Sequence, residues 1–404
     1  MRRMLWGERV TRRRALVGLL VAFALADVAL AIAVLGGTGS AAATPVALPF
    51  HPVAGTFVPD DTQLGECTDE RCFRQAFGNI AYKEGPGPAF ALIDEVYGSG
   101  ASTACHPVAH AIGAASLARY GGSVARTFAE GQATCWSGYY HGVLERSLVN
   151  VKSRQPDVLA PVARRLCREA SDMTPWIEYQ CLHGLGHGLM IATGLNLAIS
   201  LEVCSRLDRW WDRDACRGGV FMENISTSYG VRSLWLRDED PVYPCNWVAL
   251  EAKLRCYQMV TSRILPLVGD DWERTAEVCS KVERAFVSVC FQSFGRDASS
   301  RSERNAAATI ETCAIARRYG GEGDCITAAA RDVVSNFMSG ERALALCRSV
   351  SNALASPCYE GIGAVMGRFR KTAAARVADC RALTTREPLV EACLRGGRST
   401  LPRT

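Results

Sequence analysis

The chain has 404 residues, with 46 basic and 41 acidic side chains, a formal charge of +5 and 48% hydrophobic residues. That is the composition of a folded protein, long enough for several domains or one extended repeat array. Six of the basic groups (Arg2, Arg3, Arg9, Arg12, Arg13 and Arg14) precede the first apolar run, and beyond residue 40 the balance falls to +1, which excludes the basic footprint of a nucleic-acid-binding protein.

Residues 1–14 read as a basic cytoplasmic segment and 15–36 as a transmembrane anchor or an export signal. Ala15 to Leu35 is an apolar run of 21 residues broken only by Asp27, long enough to span a bilayer. The arginines before it would hold the N-terminus in the cytoplasm and place the rest of the chain outside. Small residues follow the run, so cleavage and secretion stand beside anchoring in the cell membrane. Thr11-Arg12-Arg13-Arg14-Ala15-Leu16 also resembles a twin-arginine signal, against the alternative of an ordinary basic flank. Residues 37–65, rich in Ala, Pro and Thr, read as a flexible tether.

Eighteen cysteines follow. In an exported chain such usage points to disulfides, and no Cys-x-x-Cys knuckle argues for structural zinc. In 66–159, an N-terminal helical part, the expected bonds are Cys67–Cys72 and Cys105–Cys135. In 160–404 the cysteines come in couples: Cys167–Cys181, Cys204–Cys216, Cys245–Cys256, Cys279–Cys290, Cys313–Cys325, Cys347–Cys358 and Cys380–Cys393. From Cys279 to Cys313 to Cys347 the step is 34 residues each time, then 33 to Cys380, the mark of a stacked unit. Within Ala343 to Phe369, Leu344, Cys347, Val350 and Leu354 recur at helical spacing. Cys358, Ile362, Val365, Met366 and Phe369 do the same, and Ser356-Pro357 is expected to separate the two helices. Neither helix can bury its apolar stripe alone, so the expected fold is an all-α solenoid of hairpins about 34 residues long, each stapled by a disulfide worth about 3 kcal/mol.

The period resembles tetratricopeptide arrays, and the cysteine-stapled hairpins resemble secreted Sel1-like repeat proteins. Cys-x-x-Gly-Val-Phe-Met-Glu-Asn at 216–224 and Asp-Pro-Val-Tyr-Pro-Cys at 240–245 look like segments of uncharacterised exported bacterial proteins. What these resemblances imply is architecture alone, with no activity attached.

Two stretches, CWSGYYHG at 135–142 and CLHGLGHG at 181–188, share the pattern Cys-x-x-Gly-x-x-His-Gly. Five of the six histidines, His106, His110, His141, His183 and His187, fall within 82 residues. His141 and His187 lie six residues after their cysteines and His183 two after, off the packing stripe and on a polar face that neighbouring helices share. His106 and His110 are one residue out of register with these, which opposes convergence unless their helix is offset. Pairs of imidazoles at i, i+4 on adjacent helices suit a transition metal, with Zn, Cu and Fe equally open. Glu145 and Glu223 are then candidates for a general base or for partners that orient the ligands. Two alternatives stand beside this: ordinary polar packing of a face that later repeats fill with Gln258, Ser262, Gln292, Arg296, Thr327 and Arg331, and an organic cofactor, although no Cys-x-x-Cys-His binds haem covalently.

The glycines of the motif are expected to serve close helix packing, and Asp238, Glu239 and Asp240 a solvated loop or a cover over the site. The sequence therefore supports an exported metal-dependent enzyme or metal handler. Its rival is a cell-envelope scaffold that binds a protein or peptide on a concave face, relying on groups such as Arg296 and Arg331.

Overall fold

The computed structural model describes residues 56–97, 105–132, 135–149, 151–168, 170, 174–227, 232–368, 370 and 372–399. The segments expected to be basic and apolar, 1–14 and 15–36, lie outside these residues. Among the described helices none is long and apolar enough to cross a membrane.

Nineteen α-helices and no strand occupy the described residues. The first are α1 (Glu70–Glu84), α2 (Pro86–Tyr97), α3 (Cys105–Arg119), α4 (Val124–Ala129), α5 (Gly138–Leu148) and α6 (Pro156–Leu166). Next come α7 (Pro175–Ala192), α8 (Leu197–Ser205), α9 (Trp210–Ile225), α10 (Leu250–Tyr257), α11 (Thr261–Leu267) and α12 (Trp272–Lys281). The last are α13 (Val287–Arg301), α14 (Ala306–Ile315), α15 (Glu322–Phe337), α16 (Leu344–Ser349), α17 (Asn352–Met366), α18 (Ala373–Leu383) and α19 (Glu387–Ser399).

Many starts are written locally. Asp69, Ser123, Thr174, Asn196, Asp271, Asn305 and Thr372 each accept a hydrogen bond from a backbone N–H of the first turn, satisfying a donor the helix leaves open. Pro175 follows Thr174 at the first position of α7, where its missing N–H has no partner to lose.

Helices α1, α3, α5, α7 and α9 pack side by side, and the short α10 and α11 lead from α9 to a second run of α13, α15, α17 and α19. The intervening helices back this row: α8 packs on α9, α12 on α13, α14 on α15 and α18 on α19. The turn at Cys135–Ser137 also touches α15, so two stretches nearly two hundred positions apart face each other.

Nine disulfides join Cys67–Cys72, Cys105–Cys135, Cys167–Cys181, Cys204–Cys216, Cys245–Cys256, Cys279–Cys290, Cys313–Cys325, Cys347–Cys358 and Cys380–Cys393. The last four each tie a backing helix to the row helix after it. One detail of the expected unit is corrected: the break lies at Val350 and Ser351, both extended, and Pro357 sits inside α17. A proline in the second turn removes only one hydrogen bond at the start of the helix, whereas Ser351 provides the extended entry a new helix needs.

Glycine sets the spacing of the row. A Cβ at Gly142 of α5 would lie 2.0 Å from the His110 carbonyl oxygen on α3, and one at Gly219 of α9 would lie 1.8 Å from that of His183 on α7. Both are backbone collisions, so only glycine lets these helices touch main chain to main chain.

Candidate metal centre

Helices α3, α5, α7 and α9 carry all seven side chains singled out in the sequence. His106 and His110 stand one turn apart on α3, His141 and Glu145 on α5, His183 and His187 on α7, and Glu223 projects from α9. Pro107 between the first two is in the opening turn of α3, where it is tolerated.

His141 is the centre of the group. Its ring centroid is 5.4 Å from those of His106 and His110, 5.3 Å from His183 and 4.2 Å from His187, on which it stacks. Three overlapping sets bring their ligand atoms within 4.8 Å of one another: His106, His110 and His141; His141, His183 and His187; and Glu145, His187 and Glu223. These groups could hold a metal ion.

Hydrogen bonds orient the rings. His106 Nδ1 is 2.7 Å from the Cys135 carbonyl oxygen, which fixes Nδ1 as the protonated nitrogen and leaves Nε2 facing His110 Nε2 at 3.0 Å. A tetrahedral ion with bonds of about 2.0–2.1 Å sets its ligand nitrogens roughly 3.3 Å apart, close to that separation. Cys135 and Ser137, with φ of 53° and 61°, hold this carbonyl in a left-handed turn that non-glycine residues seldom adopt. His187 Nδ1 is hydrogen-bonded to Glu223 Oε2 at 2.8 Å, and Glu145 Oε1 comes within 2.7 Å of His110 Nδ1 as a close polar contact. Carboxylates behind imidazoles in this way fix the tautomer and raise the basicity of the other nitrogen.

Two expectations are corrected. The first is the alternative of ordinary polar packing with solvent access, because His110, His141 and His187 are each 1% exposed and Glu145 and Glu223 are fully buried. The register mismatch of His106 and His110 does not keep them apart. Cys105 opens α3 whereas Cys181 lies mid-helix in α7, so counting from the cysteine misplaces the rings. The backbone contact at Gly142 sets the register instead.

Burial is the main force on these groups. It pushes His106 and His187 down to about 3, with the nearby His110 adding to the effect in both. It lowers His141 and His183 well below the ordinary imidazole value, His187 reinforcing this in each. Neutral imidazoles are the ligand-competent form. Both nitrogens of His141 and Nε2 of His187 are buried with no hydrogen-bond partner, an arrangement that ordinary polar packing does not explain.

Other expected features fall elsewhere. Asp238 pairs with Arg232 and Arg263, and Asp240 accepts from Asn246, so the acidic loop is tied to its own surroundings. His141 and His183 line a cavity of about 220 Å³, which leaves the cluster open on one side. Arg255, Arg368 and Tyr179 also line it. Sequence reasoning passed over them, although a polar residue recurring on the same helix face in successive units was a usable signal.

Comparison with protein-family models, curated proteins and solved structures finds no match for the chain.

Proposed function

We propose that this chain is an exported, membrane-anchored helical solenoid that holds a transition metal in the histidine cluster, as a metal-dependent enzyme or a metal handler. The observation that carries the reading is His141: it belongs to two of the three possible ligand sets, and neither of its buried nitrogens has a protein partner. A buried imidazole with neither nitrogen bonded to protein is destabilising unless another group supplies those contacts, and an ion held with the neighbouring histidines does so.

His106, His110, His141, His183 and His187 are the proposed ligands. Because His141 joins both histidine sets, it can serve one ion or stand between two. Glu145 and Glu223 lie behind His110 and His187, a placement that suits orienting the ligands better than acting as a free base. Zinc, copper and iron all accept such a donor set.

Nine disulfides favour an oxidising compartment, and the arginine-flanked apolar run at 15–35 favours a membrane tether. The alternative of a protein-binding scaffold draws less support, since a cavity of about 220 Å³ suits a small molecule rather than a peptide. Elemental mass spectrometry on the full-length, untagged, oxidised protein tests the proposal. One or two equivalents of a single transition metal are expected, lost in the triple variant H141A/H183A/H187A with helicity retained. A wild-type protein that neither carries nor takes up metal sinks the reading.

A further inference from the structure

The cavity beside the histidines has a second chemistry. Four arginines line it, from four separate places in the chain: Arg255 on α10, Arg296 on α13, Arg331 on α15 and Arg368 in the turn after α17. Two have carboxylate partners, Arg255 with Asp214 and Arg296 with Asp297. The other two are held by neutral groups. Arg331 donates to Gln292 Oε1 at 2.9 Å, and the Arg368 guanidinium lies over the Tyr179 ring, 4.5 Å from its centroid. The Nε of each is buried without an acceptor.

Among the described residues no salt bridge joins a nearby acid to either guanidinium, and Asp324 and Glu360 offset the charge of Arg331 only from a distance. Asp332, also on the wall, is 3.2 Å from Arg304 and accepts from Ser299. Asp324 is engaged by Ser288 and Gln292, and Glu360 lies 4.0 Å from Arg395. Burial, and then mutual repulsion with Arg368 and Arg255, pushes Arg331 down to about 10. Like charges gathered on one wall with spare donors are an unfilled demand for an anion.

The wall is continuous with the histidines. Tyr179, under Arg368, stacks on His183 with ring centroids 5.5 Å apart, and His183 and His141 share the cavity. Trp176 and Tyr179 supply an apolar side, so the space suits a small organic group bearing a charged end rather than a bare ion.

We propose that this cavity binds a small organic oxyanion, a phosphate ester or a dicarboxylate, through Arg331 and Arg368, with its far end turned toward His141 and His183. That this end meets a metal rests on the function proposed above. The binding by the arginines does not.

Isothermal titration calorimetry on the full-length oxidised protein tests it, with inorganic phosphate and malonate as probes, on chelated and metal-loaded samples at low ionic strength. Saturable binding of at least one probe is expected. It should weaken about tenfold or more in R331Q and in R368Q, the loss of one charge-assisted contact, and stay unchanged in R274Q, whose side chain is 71% exposed. Should a glutamine variant unfold, S335F, which keeps both arginines and narrows the cavity from the turn of α15 that follows Arg331, must weaken binding instead. Preference for phosphate identifies a phosphate ester and preference for malonate a dicarboxylate. Arginine-dependent binding to the chelated protein sustains the proposal even if no metal is found. It is overturned if neither probe binds, or if binding ignores the arginine variants, as when phosphate sits on the metal alone.

Discussion

His141 concentrates the chemistry of this protein in one side chain. His106 is held by a carbonyl and His187 by a carboxylate, whereas neither nitrogen of His141 bonds to the protein. H141Q retains bulk and polarity but not ligand geometry, and its metal content should fall below a tenth of an equivalent while its circular dichroism is unchanged. E223Q should act more mildly. The amide can still accept from His187 but no longer polarises it as a carboxylate does, and metal affinity should drop about 10–100-fold, measured by chelator competition.

At the scale of the element, the glycines explain why the eight-residue pattern occurs twice. Histidines on neighbouring helices share an ion only if the helices approach closely, and a Cβ at Gly142 would strike the His110 carbonyl oxygen at 2.0 Å. G142A should therefore destabilise the fold by about 1–3 kcal/mol, lowering the thermal midpoint, and should release metal by separating α3 from α5. G87A, where nothing lies within 4 Å, should be neutral or slightly stabilising. The disulfides divide in the same way. C347S/C358S should cost about 3 kcal/mol and leave metal content intact, because that hairpin contributes none of the proposed ligands. C105S/C135S frees the turn whose carbonyl holds His106, so stability and metal content should fall together.

For the whole molecule, burying four neutral imidazoles couples folding to pH. In the folded protein His106 and His187 are pushed down to about 3, and His141 and His183 are lowered well below the ordinary value. Their unfolded counterparts titrate near 6.5. As pH falls below about 6.5 the unfolded chain binds protons that the folded chain refuses, so stability declines with falling pH. Each such histidine contributes a slope of about 1.4 kcal/mol per pH unit. Chemical denaturation of the chelated protein from pH 8 to 5 should show this loss below about 6.5, and H106N/H187N should reduce its slope by about half, leaving the contributions of His141 and His183.

Much of this architecture was legible in the sequence. Cysteine couples at a regular step imply hairpins, because a short loop closed by a disulfide brings two helices together whatever lies around them. The histidines and their two glutamates stand out for a similar reason, since their i, i+4 spacing and shared motif depend only on helix geometry. The break within the hairpin at Val350 and Ser351 was less visible. A proline near a helix start and one at a turn look alike in sequence, and the choice rests on which backbone contacts the neighbouring helices offer.

The sequence by itself determined the helical class, the regular step of the cysteine couples and the identity of the candidate ligands, all consequences of spacing along the chain. Only the tertiary structure decided that those ligands are buried, that Gly142 rather than Cys105 sets their register, and that Arg331 and Arg368 meet the histidines across a cavity. These depend on how far each helix advances past the last and on the return of α15 to the turn before α5, a property of accumulated packing that no local pattern encodes.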